Sequence, residues 1–193
     1  MKKSMFLVLI MMLSCILVYA QEAVEDTSYV VGDQIKIDQE VAVEQTRAEL
    51  RQAIINVARG ELGYHETGDN ITKYGAWYGL QGQPWCAMFV SWCANQAGVS
   101  TSAICKYAGC TTGRNWFKNK GVYKKRSSGY TPRKGDLIFF TDDSGSSCCH
   151  SGIVTSVSGG KVNTIEGNTS DQVACRSYDL GKSRIDGYAT PNY

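Results

Sequence analysis

The stretch PWCAMFVSWCANQAG, residues 84–98, decides the fold of this chain. It has a proline at its start, a glycine at its end and no charged residue between them. Proline favours the first turn of a helix and glycine favours its C-terminal end, and a helix that is apolar on every side is a buried helix. We therefore predict a buried helix here, with Cys86 in its first turn.

The position of Cys86 favours a role as a nucleophile. The positive end of the helix dipole and the free amides of a first turn stabilise a thiolate, which is the nucleophilic form of cysteine. The alternative interpretation is that a cysteine among Trp, Ala and Met is a small buried hydrophobic residue. Both interpretations stand until a partner for the thiol is found.

The sequence on either side of this stretch predicts an α+β domain. Apolar residues recur at helical spacing from Thr46 to Ala58, and Gly60 follows as a stop, which predicts the first helix. The predicted β-strands are Asp136 to Thr141, His150 to Val157, Lys161 to Gly167, Val173 to Leu180 and Gly187 to Tyr193. We expect the N-terminal helices to pack on an antiparallel β-sheet, and we expect Lys118 to Lys134 to be a long surface connection.

Histidine is scarce, so a Cys–His pair has few possible arrangements. Only His65 and His150 are present, and His150 is the better candidate because it opens a predicted strand. The alternative is that His150 is a strand-edge histidine without a partner. In the catalytic interpretation, the Cys86 thiolate attacks a carbonyl carbon, His150 acts as the base, and the Cys86 amide helps to hold the oxyanion.

The register of the hairpin after His150 decides which residue orients the imidazole. A three-residue loop, residues 158–160, would connect the two strands. His150 then lies opposite Asn168, and Gly152 lies opposite Glu166, all on one face of the sheet. Glu166 or Asn168 would then orient His150. A turn made of the two loop glycines alone would instead place Glu166 and Asn168 on the face away from His150.

The N-terminus has the features of a secretory signal peptide. Two lysines precede an apolar run from Met5 to Tyr19, and small residues stand at the −3 and −1 positions relative to a cut after Ala20. The run is too short to span a membrane, and no later stretch comes close to that length. We expect residues 1–20 to be removed and the mature protein to be secreted. A lipoprotein signal ending at Cys15 is the weaker alternative, because apolar residues continue beyond it.

Charge divides the remaining chain into two parts. Residues 21–46 contain seven acidic side chains and one lysine, which is typical of a solvated leader, tether or pro-segment. Residues 47–193 carry the balancing positive charge, which suits an anionic polymer as partner. A content of 43% hydrophobic and 20% charged residues excludes collagen, mucin and wholly disordered classes. We expect no nucleic-acid partner, because the densest basic cluster, residues 124–126, lies in no recognised motif.

Five blocks of sequence carry a resemblance to a known family. They are LGYHE (62–66), WCAMFVSWC (85–93), GDLIFF (135–140), HSGIV (150–154) and IEGN (165–168). Together they resemble the CHAP domain, the cysteine, histidine-dependent amidohydrolases and peptidases related to NlpC/P60 peptidases within the papain-like group. The resemblance covers roughly residues 47–193. It implies a papain-like thiol hydrolase fold, whose chain order of Cys, His and Glu or Asn is found here.

The resemblance also implies a function. Family members cut peptidoglycan, either at the amide that joins muramic acid to L-alanine or at a bond within the stem or cross-bridge peptides. On matching positions, Cys86 is the nucleophile, His150 the base, Glu166 the orienting residue and Asn168 a fourth polar member. A groove beside the helix start would let aromatic side chains contact sugar or peptide; these are Trp77, Tyr78 and Trp85. The alternative for these three aromatics is a place in the core.

Two features depart from the family pattern. Some members bind calcium through closely spaced aspartates upstream of the cysteine, and here Gly68-Asp69-Asn70 is the only faint candidate, so we expect no metal and no cofactor. The mature chain also keeps seven cysteines. Export permits disulfides, and we expect Cys105 to pair with Cys110 and Cys148 or Cys149 to pair with Cys175, with Cys93 buried and free. The alternative of a zinc site fits no standard spacing and would consume the only good base; its ligands would be Cys105, Cys110, Cys148, Cys149 and His150.

The expected protein is therefore a secreted, monomeric peptidoglycan hydrolase. Two alternatives share its residues: a catalytically silent module that binds cell walls, and a thiol protease that acts on proteins. An unreactive Cys86 would indicate the first alternative, and only substrate tests separate the second.

Overall fold

The computed structural model describes residues 34–142, 145 and 147–193. The predicted signal peptide, residues 1–20, and residues 21–33 of the acidic segment lie outside the described residues. The chain divides into two units, residues 1–45 and 46–193. In the first unit, residues 34–45 are helical and exposed. Within the described ranges, no helix has the length and apolar character needed to cross a membrane.

Four α-helices belong to the second unit. Helix α1 covers residues 46–60, and the others are α2 (Lys73–Tyr78), α3 (Cys86–Gln96) and α4 (Cys110–Asn119). Helix α3 confirms the prediction for residues 84–98: Cys86 is its first residue, and Gly98 follows its end with a positive φ of 71°. Eight of the side chains on α3 are buried, as expected for a helix without charge.

Helix α4 was not predicted from the sequence. Its buried residues stand at positions i, i+3, i+4 and i+7, namely Cys110, Gly113, Arg114 and Phe117. This is the spacing of one helix face. A glycine and an arginine occupy the middle of that face, so the apolar pattern is too weak to be recognised from the sequence.

Six antiparallel strands form one sheet. They are β1 (Tyr123–Lys125), β2 (Leu137–Thr141), β3 (Cys148–Ser158), β4 (Lys161–Glu166), β5 (Ala174–Asp179) and β6 (Ile185–Ala189), in the order β1-β6-β2-β3-β4-β5. The predicted α+β class with an antiparallel sheet is confirmed. The predicted surface connection, residues 118–134, is wrong in part, because it contains the end of α4, strand β1 and a 3-10 helix, Arg126–Ser128. Strand β1 was missed because two of its three residues are exposed lysines.

The β3–β4 hairpin combines the two registers that the sequence presented as alternatives. The last pair of the ladder is Ser158 with Lys161, so the turn consists of two glycines, both with positive φ. The expected three-residue loop is therefore wrong. An irregularity between Val154 and Ser156 shifts the ladder by one residue, and Ile153 then pairs with Ile165. This β-bulge restores the register in which Glu166 faces the residues around His150.

The sheet is buried on both faces. Strand β2 shows this directly, because Leu137 and Phe139 belong to a large core cluster with the helices, while Ile138 and Phe140 belong to a smaller one. Alternation along a strand places these pairs on opposite faces. Helix α3 packs in the large cluster against β3 and β4, which brings its first residue close to the ends of those strands.

Candidate active site

Cys86 is held at the start of α3 by the residue before it. Trp85 is fully buried, and its indole Nε1 donates a hydrogen bond to Glu66 Oε2 at 2.8 Å. Its ring also stacks on that of Tyr74, with centroids 5.2 Å apart. Trp85 offers no side-chain cap to the helix, so no Trp85 side-chain atom competes for the amides of the first turn. The thiol of Cys86 is therefore presented next to the positive end of an eleven-residue helix.

None of the three aromatic residues expected to contact substrate lines the cavities beside Cys86 and His150. Trp85 is 0% exposed, so the expectation that it contacts substrate is wrong, and its role is to anchor the start of α3. Trp77 and Tyr78 are half-buried, and the Lys106 ammonium lies 4.5 Å and 4.6 Å from their ring centroids. Neither ring lines the two cavities beside Cys86 and His150 described below.

His150 and Glu166 form a hydrogen-bonded pair. His150 Nε2 lies 2.8 Å from Glu166 Oε2. Glu166 is fully buried, and it also accepts hydrogen bonds from Thr164 Oγ1 at 2.6 Å and from the Tyr178 hydroxyl at 3.0 Å. The carboxylate is therefore fixed by three partners. Because Nε2 is engaged with Glu166, Nδ1 is the imidazole nitrogen left to interact with another group.

Asn168 lies in the same cavity as His150 but has a different partner. Its Nδ2 donates to Asn70 Oδ1 at 3.2 Å, and its backbone has a positive φ of 54°. Strand β4 ends at Glu166, so the expected pairing of His150 with Asn168 is not part of the ladder. Of the two residues proposed to orient the imidazole, the structure places Glu166 against it.

The electrostatics favour a thiolate and an imidazolium. A hydrogen bond with Cys110 lowers the pKa of the Cys86 thiol well below its usual value; burial opposes this shift, and the interaction with His150 adds to it. Burial alone would lower the pKa of His150, but its hydrogen bonds with Cys86 and Glu166 outweigh that effect and raise the pKa to about 10. Each charged partner thus stabilises the other.

Two cavities flank the Cys86–His150 pair. One, of about 390 Å³, is lined by polar and cationic residues that include His150, Glu166, Asn168, Lys182 and Arg184. The other, of about 310 Å³, is lined by residues that include four cysteines: Cys86, Cys110, Cys148 and Cys149. One cavity therefore lies beside His150 and the other lies beside Cys86.

The expected disulfides are absent from the structure. All seven cysteines in the described part of the chain are free, so the expected pairs of Cys105 with Cys110 and of Cys148 or Cys149 with Cys175 are wrong. Because Cys110 is the first residue of α4, its sulfur is directed into the core, where Sγ lies 3.5 Å from Cys86 Sγ. Cys93 is buried and free, as expected.

Across residues 34–142, 145 and 147–193, no group of three or more His, Cys, Asp or Glu side chains is arranged to hold a metal ion. His65 is exposed and lies in an isolated bridge with Gln172.

Sequence reasoning missed four supporting residues. Glu66 holds Trp85, Thr164 and Tyr178 hold Glu166, and Cys110 contacts Cys86. Thr164 carried a usable signal, because a residue two positions before Glu166 on a strand shares its face. The other three contacts join residues from separate elements and leave no local pattern.

Comparisons with known proteins agree with this architecture. Residues 77–168 match the sequence model of the CHAP domain, a range that includes Cys86, His150 and Glu166. The crystal structure of Ly7917 is similar, with a TM-score of 0.50 and 17% sequence identity, over 73% of this chain and 62% of that chain. The crystal structure of Ly7917 with the hydrolyzing product of MDP gives a TM-score of 0.47 and 19% identity over the same shares.

At such low identity, the likeness to Ly7917 concerns the fold alone, and this chain spans 62% of the length of that chain. No curated protein matches the sequence. The family model matches residues 77–168, and we conclude that this chain contains a CHAP domain, matched over that range.

Proposed function

We propose that this protein is a secreted hydrolase that cleaves an amide bond of bacterial peptidoglycan by a Cys–His–Glu thiol mechanism. The bond is either the N-acetylmuramoyl-L-alanine amide or a peptide bond of the stem or cross-bridge. The observation that carries the proposal is the 2.8 Å hydrogen bond between His150 and the buried Glu166 carboxylate, on strands that pack against the helix that begins with Cys86. A binding module has no need of a thiol with a lowered pKa beside a charged imidazole.

The geometry supports a two-step reaction. The Cys86 thiolate attacks the carbonyl carbon, and the amide at the start of α3 stabilises the resulting oxyanion. The His150 imidazolium then gives its proton to the leaving amine, which departs and leaves an acyl group on Cys86. In the second step, His150 takes a proton from water, the hydroxide attacks the acyl carbon, and the thiolate is released. Glu166 holds the imidazole in one orientation throughout.

The charge of the domain supports a polymeric anionic substrate. Residues 47–193 contain more lysine and arginine than aspartate and glutamate, and an excess of positive charge raises the local concentration of an anionic polymer. Lys182 and Arg184 place part of this charge on the cavity next to His150. Peptidoglycan, the substrate class of the CHAP family, carries free carboxylates on its peptides.

Secretion is part of the proposal and rests on the first twenty residues. A charged start, an apolar run and small residues before the expected cut after Ala20 support a cleaved signal peptide. We further expect the mature protein to be a monomer. Expression of the full chain in a bacterial host should yield a secreted form that begins at Gln21 in N-terminal sequencing. A product that retains residues 1–20 would contradict secretion through this signal.

The decisive experiment digests purified peptidoglycan with the mature protein and with the Cys86→Ala variant. Cys175→Ala is the matched control, because Cys175 is exposed and lies on β5. We expect fragments from the wild type and the control and none from Cys86→Ala. Mass spectrometry then identifies the bond: free stem peptides with N-terminal alanine establish an amidase, and cuts inside the peptides establish an endopeptidase.

Other outcomes would select the alternatives. Fragment release that survives Cys86→Ala would overturn the thiol mechanism. If no variant released fragments while all sedimented with the walls, the protein would be a binding module. Cleavage of a denatured protein offered as substrate, without cleavage of peptidoglycan, would indicate a thiol protease.

A further inference from the structure

A second buried thiol touches the proposed nucleophile. Cys110 Sγ lies 3.5 Å from Cys86 Sγ, and both residues are almost fully buried, at 6% and 4% exposed. The two cysteines are the first residues of α4 and α3. Cys110 Sγ also lies 3.6 Å from Ser151 Oγ, on the strand that carries His150. The hydrolytic steps proposed above require only one thiol, so the second one calls for a separate explanation.

The position of Cys110 suits reversible oxidation of Cys86. A thiolate is the form of cysteine that peroxides oxidise, and the resulting sulfenic acid condenses with a neighbouring thiol when one is in reach. Disulfide sulfurs are 2.05 Å apart, so the two atoms need to approach by about 1.5 Å from their present separation. A rotation of the two cysteine side chains supplies movements of this size. The cavity of about 310 Å³ that both thiols line gives a small oxidant access.

We propose that Cys110 is a resolving thiol that converts oxidised Cys86 into a reversible disulfide and thereby switches the hydrolase off. The oxidant is a peroxide. In the first step, the Cys86 thiolate attacks one peroxide oxygen, the O–O bond breaks, and Cys86 becomes a sulfenic acid while hydroxide leaves. In the second step, Cys110 sulfur attacks Cys86 sulfur, the S–O bond breaks, and water leaves with the Cys110 proton. Cysteine sulfur is oxidised by two electrons and the peroxide is reduced.

Cys148 is the competing partner for Cys110 in this cluster. It lines the same cavity, and it also interacts with Cys110. Its Sγ, however, is turned toward the backbone oxygen of His150, at 3.7 Å. The sulfur–sulfur distance of 3.5 Å joins Cys110 to Cys86, the first residue of α3. A disulfide between Cys86 and Cys110 also removes the nucleophile, whereas one between Cys110 and Cys148 leaves it free.

The test uses the reduced mature protein, freed of reductant and titrated with hydrogen peroxide. Peptide mapping by mass spectrometry without reduction should show Cys86 linked to Cys110 with the loss of two hydrogen atoms. Iodoacetamide labelling of Cys86 should fall in proportion to the linked fraction and return after dithiothreitol. A link between Cys110 and Cys148 with Cys86 free, or oxygen added to Cys86 without a link, would overturn the proposal.

Two variants sharpen the test. In Cys110→Ser, peroxide should add two or three oxygen atoms to Cys86, and dithiothreitol should not restore its labelling. Equal recovery of Cys86 in Cys110→Ser and wild type would overturn the role of Cys110. Cys105→Ser is the matched control, since Cys105 is a half-buried free cysteine that does not line this cavity, and it should behave as the wild type does.

The proposed disulfide switch and the proposed hydrolase function are tested by separate measurements. The linked peptide and the labelling of Cys86 are measured without any substrate, so they test the disulfide by itself. If peptidoglycan cleavage exists, its loss and recovery should follow the linked fraction. Cleavage that persists in fully linked protein would overturn the switch and also the role of Cys86 as nucleophile.

Discussion

Glu166 is the residue on which the candidate site depends most. It is fully buried, and a buried carboxylate is unfavourable unless it is hydrogen-bonded or paired with a cation. Thr164 and Tyr178 donate two hydrogen bonds to it, and His150 supplies the third contact. A charged imidazole is therefore favoured next to it. Through His150, the carboxylate also favours the thiolate of Cys86.

Replacing Glu166 by glutamine should lower activity and change the pH dependence of Cys86. The amide keeps the shape but removes the charge, so the pKa of His150 should fall from about 10 and the pKa of Cys86 should rise. The acid limb of the pH profile for alkylation of Cys86 by iodoacetamide should move to higher pH, toward the pKa of a free thiol, about 8.5. Fragment release should fall by about 10²- to 10⁴-fold.

The control for this variant is Glu40→Gln, which alters an exposed carboxylate in residues 34–45. It should leave both the alkylation profile and the rate unchanged. An unshifted acid limb in Glu166→Gln, in a protein that remains folded, would show that the carboxylate does not set the charge state of the Cys86–His150 pair.

At the scale of elements, the β3–β4 hairpin delivers Glu166 to His150. Its two-glycine turn alone would place Glu166 on the wrong face, and the bulge between Val154 and Ser156 corrects this. Close contact of the two strands also needs a glycine. A Cβ atom added at Gly152 would lie 2.5 Å from Glu166 Cγ and 3.2 Å from the Ile165 oxygen.

Gly152→Ala should therefore displace the Glu166 side chain. Because Glu166 is enclosed by three partners, the displacement lengthens its contact with His150, and the strain should cost about 1–3 kcal/mol of the free energy of unfolding. We expect fragment release to fall more steeply than stability, measured by peptidoglycan digestion beside urea unfolding. The matched control is Gly181→Ala, where an added Cβ meets nothing within 4 Å. Full activity in Gly152→Ala would contradict this account of the hairpin.

At the scale of the whole domain, Asp136 joins segments that are far apart in the chain. It is fully buried, and its carboxylate receives hydrogen bonds from Arg51 at 3.0 Å, from the Tyr130 hydroxyl at 2.8 Å and from the Arg133 amide at 2.8 Å. The Arg51 guanidinium also lies 4.7 Å from the centroid of the Tyr193 ring. One carboxylate thus ties helix α1, the start of β2 and the C-terminus together.

Asp136→Asn should destabilise the whole domain. Removing one partner of a buried ion pair leaves the other charge uncompensated, which typically costs about 3–5 kcal/mol. Urea unfolding should show this loss. Asp179→Asn is the control, because Asp179 forms an exposed pair with Lys161, and it should leave the unfolding midpoint unchanged. Equal stability of the two variants would show that Asp136 does not hold the domain together.

The sequence by itself determined the elements whose signals are local. The uncharged stretch of residues 84–98 became helix α3, and β-rich runs bounded by turn residues became strands β2 to β6, because such signals are properties of neighbouring residues. The same local logic placed Cys86 in the first turn. The resemblance of five blocks to one family indicated His150 and Glu166 as its partners.

Only the tertiary structure decided which side chains meet. It selected Glu166 over Asn168 as the partner of His150, buried Trp85, and brought Cys110 within 3.5 Å of Cys86 across 24 positions of sequence. The bulge in β3 depends on the packing of the whole sheet. Such contacts join residues whose separation along the chain leaves no periodic signal, because they arise from how helices and strands pack rather than from how each one forms.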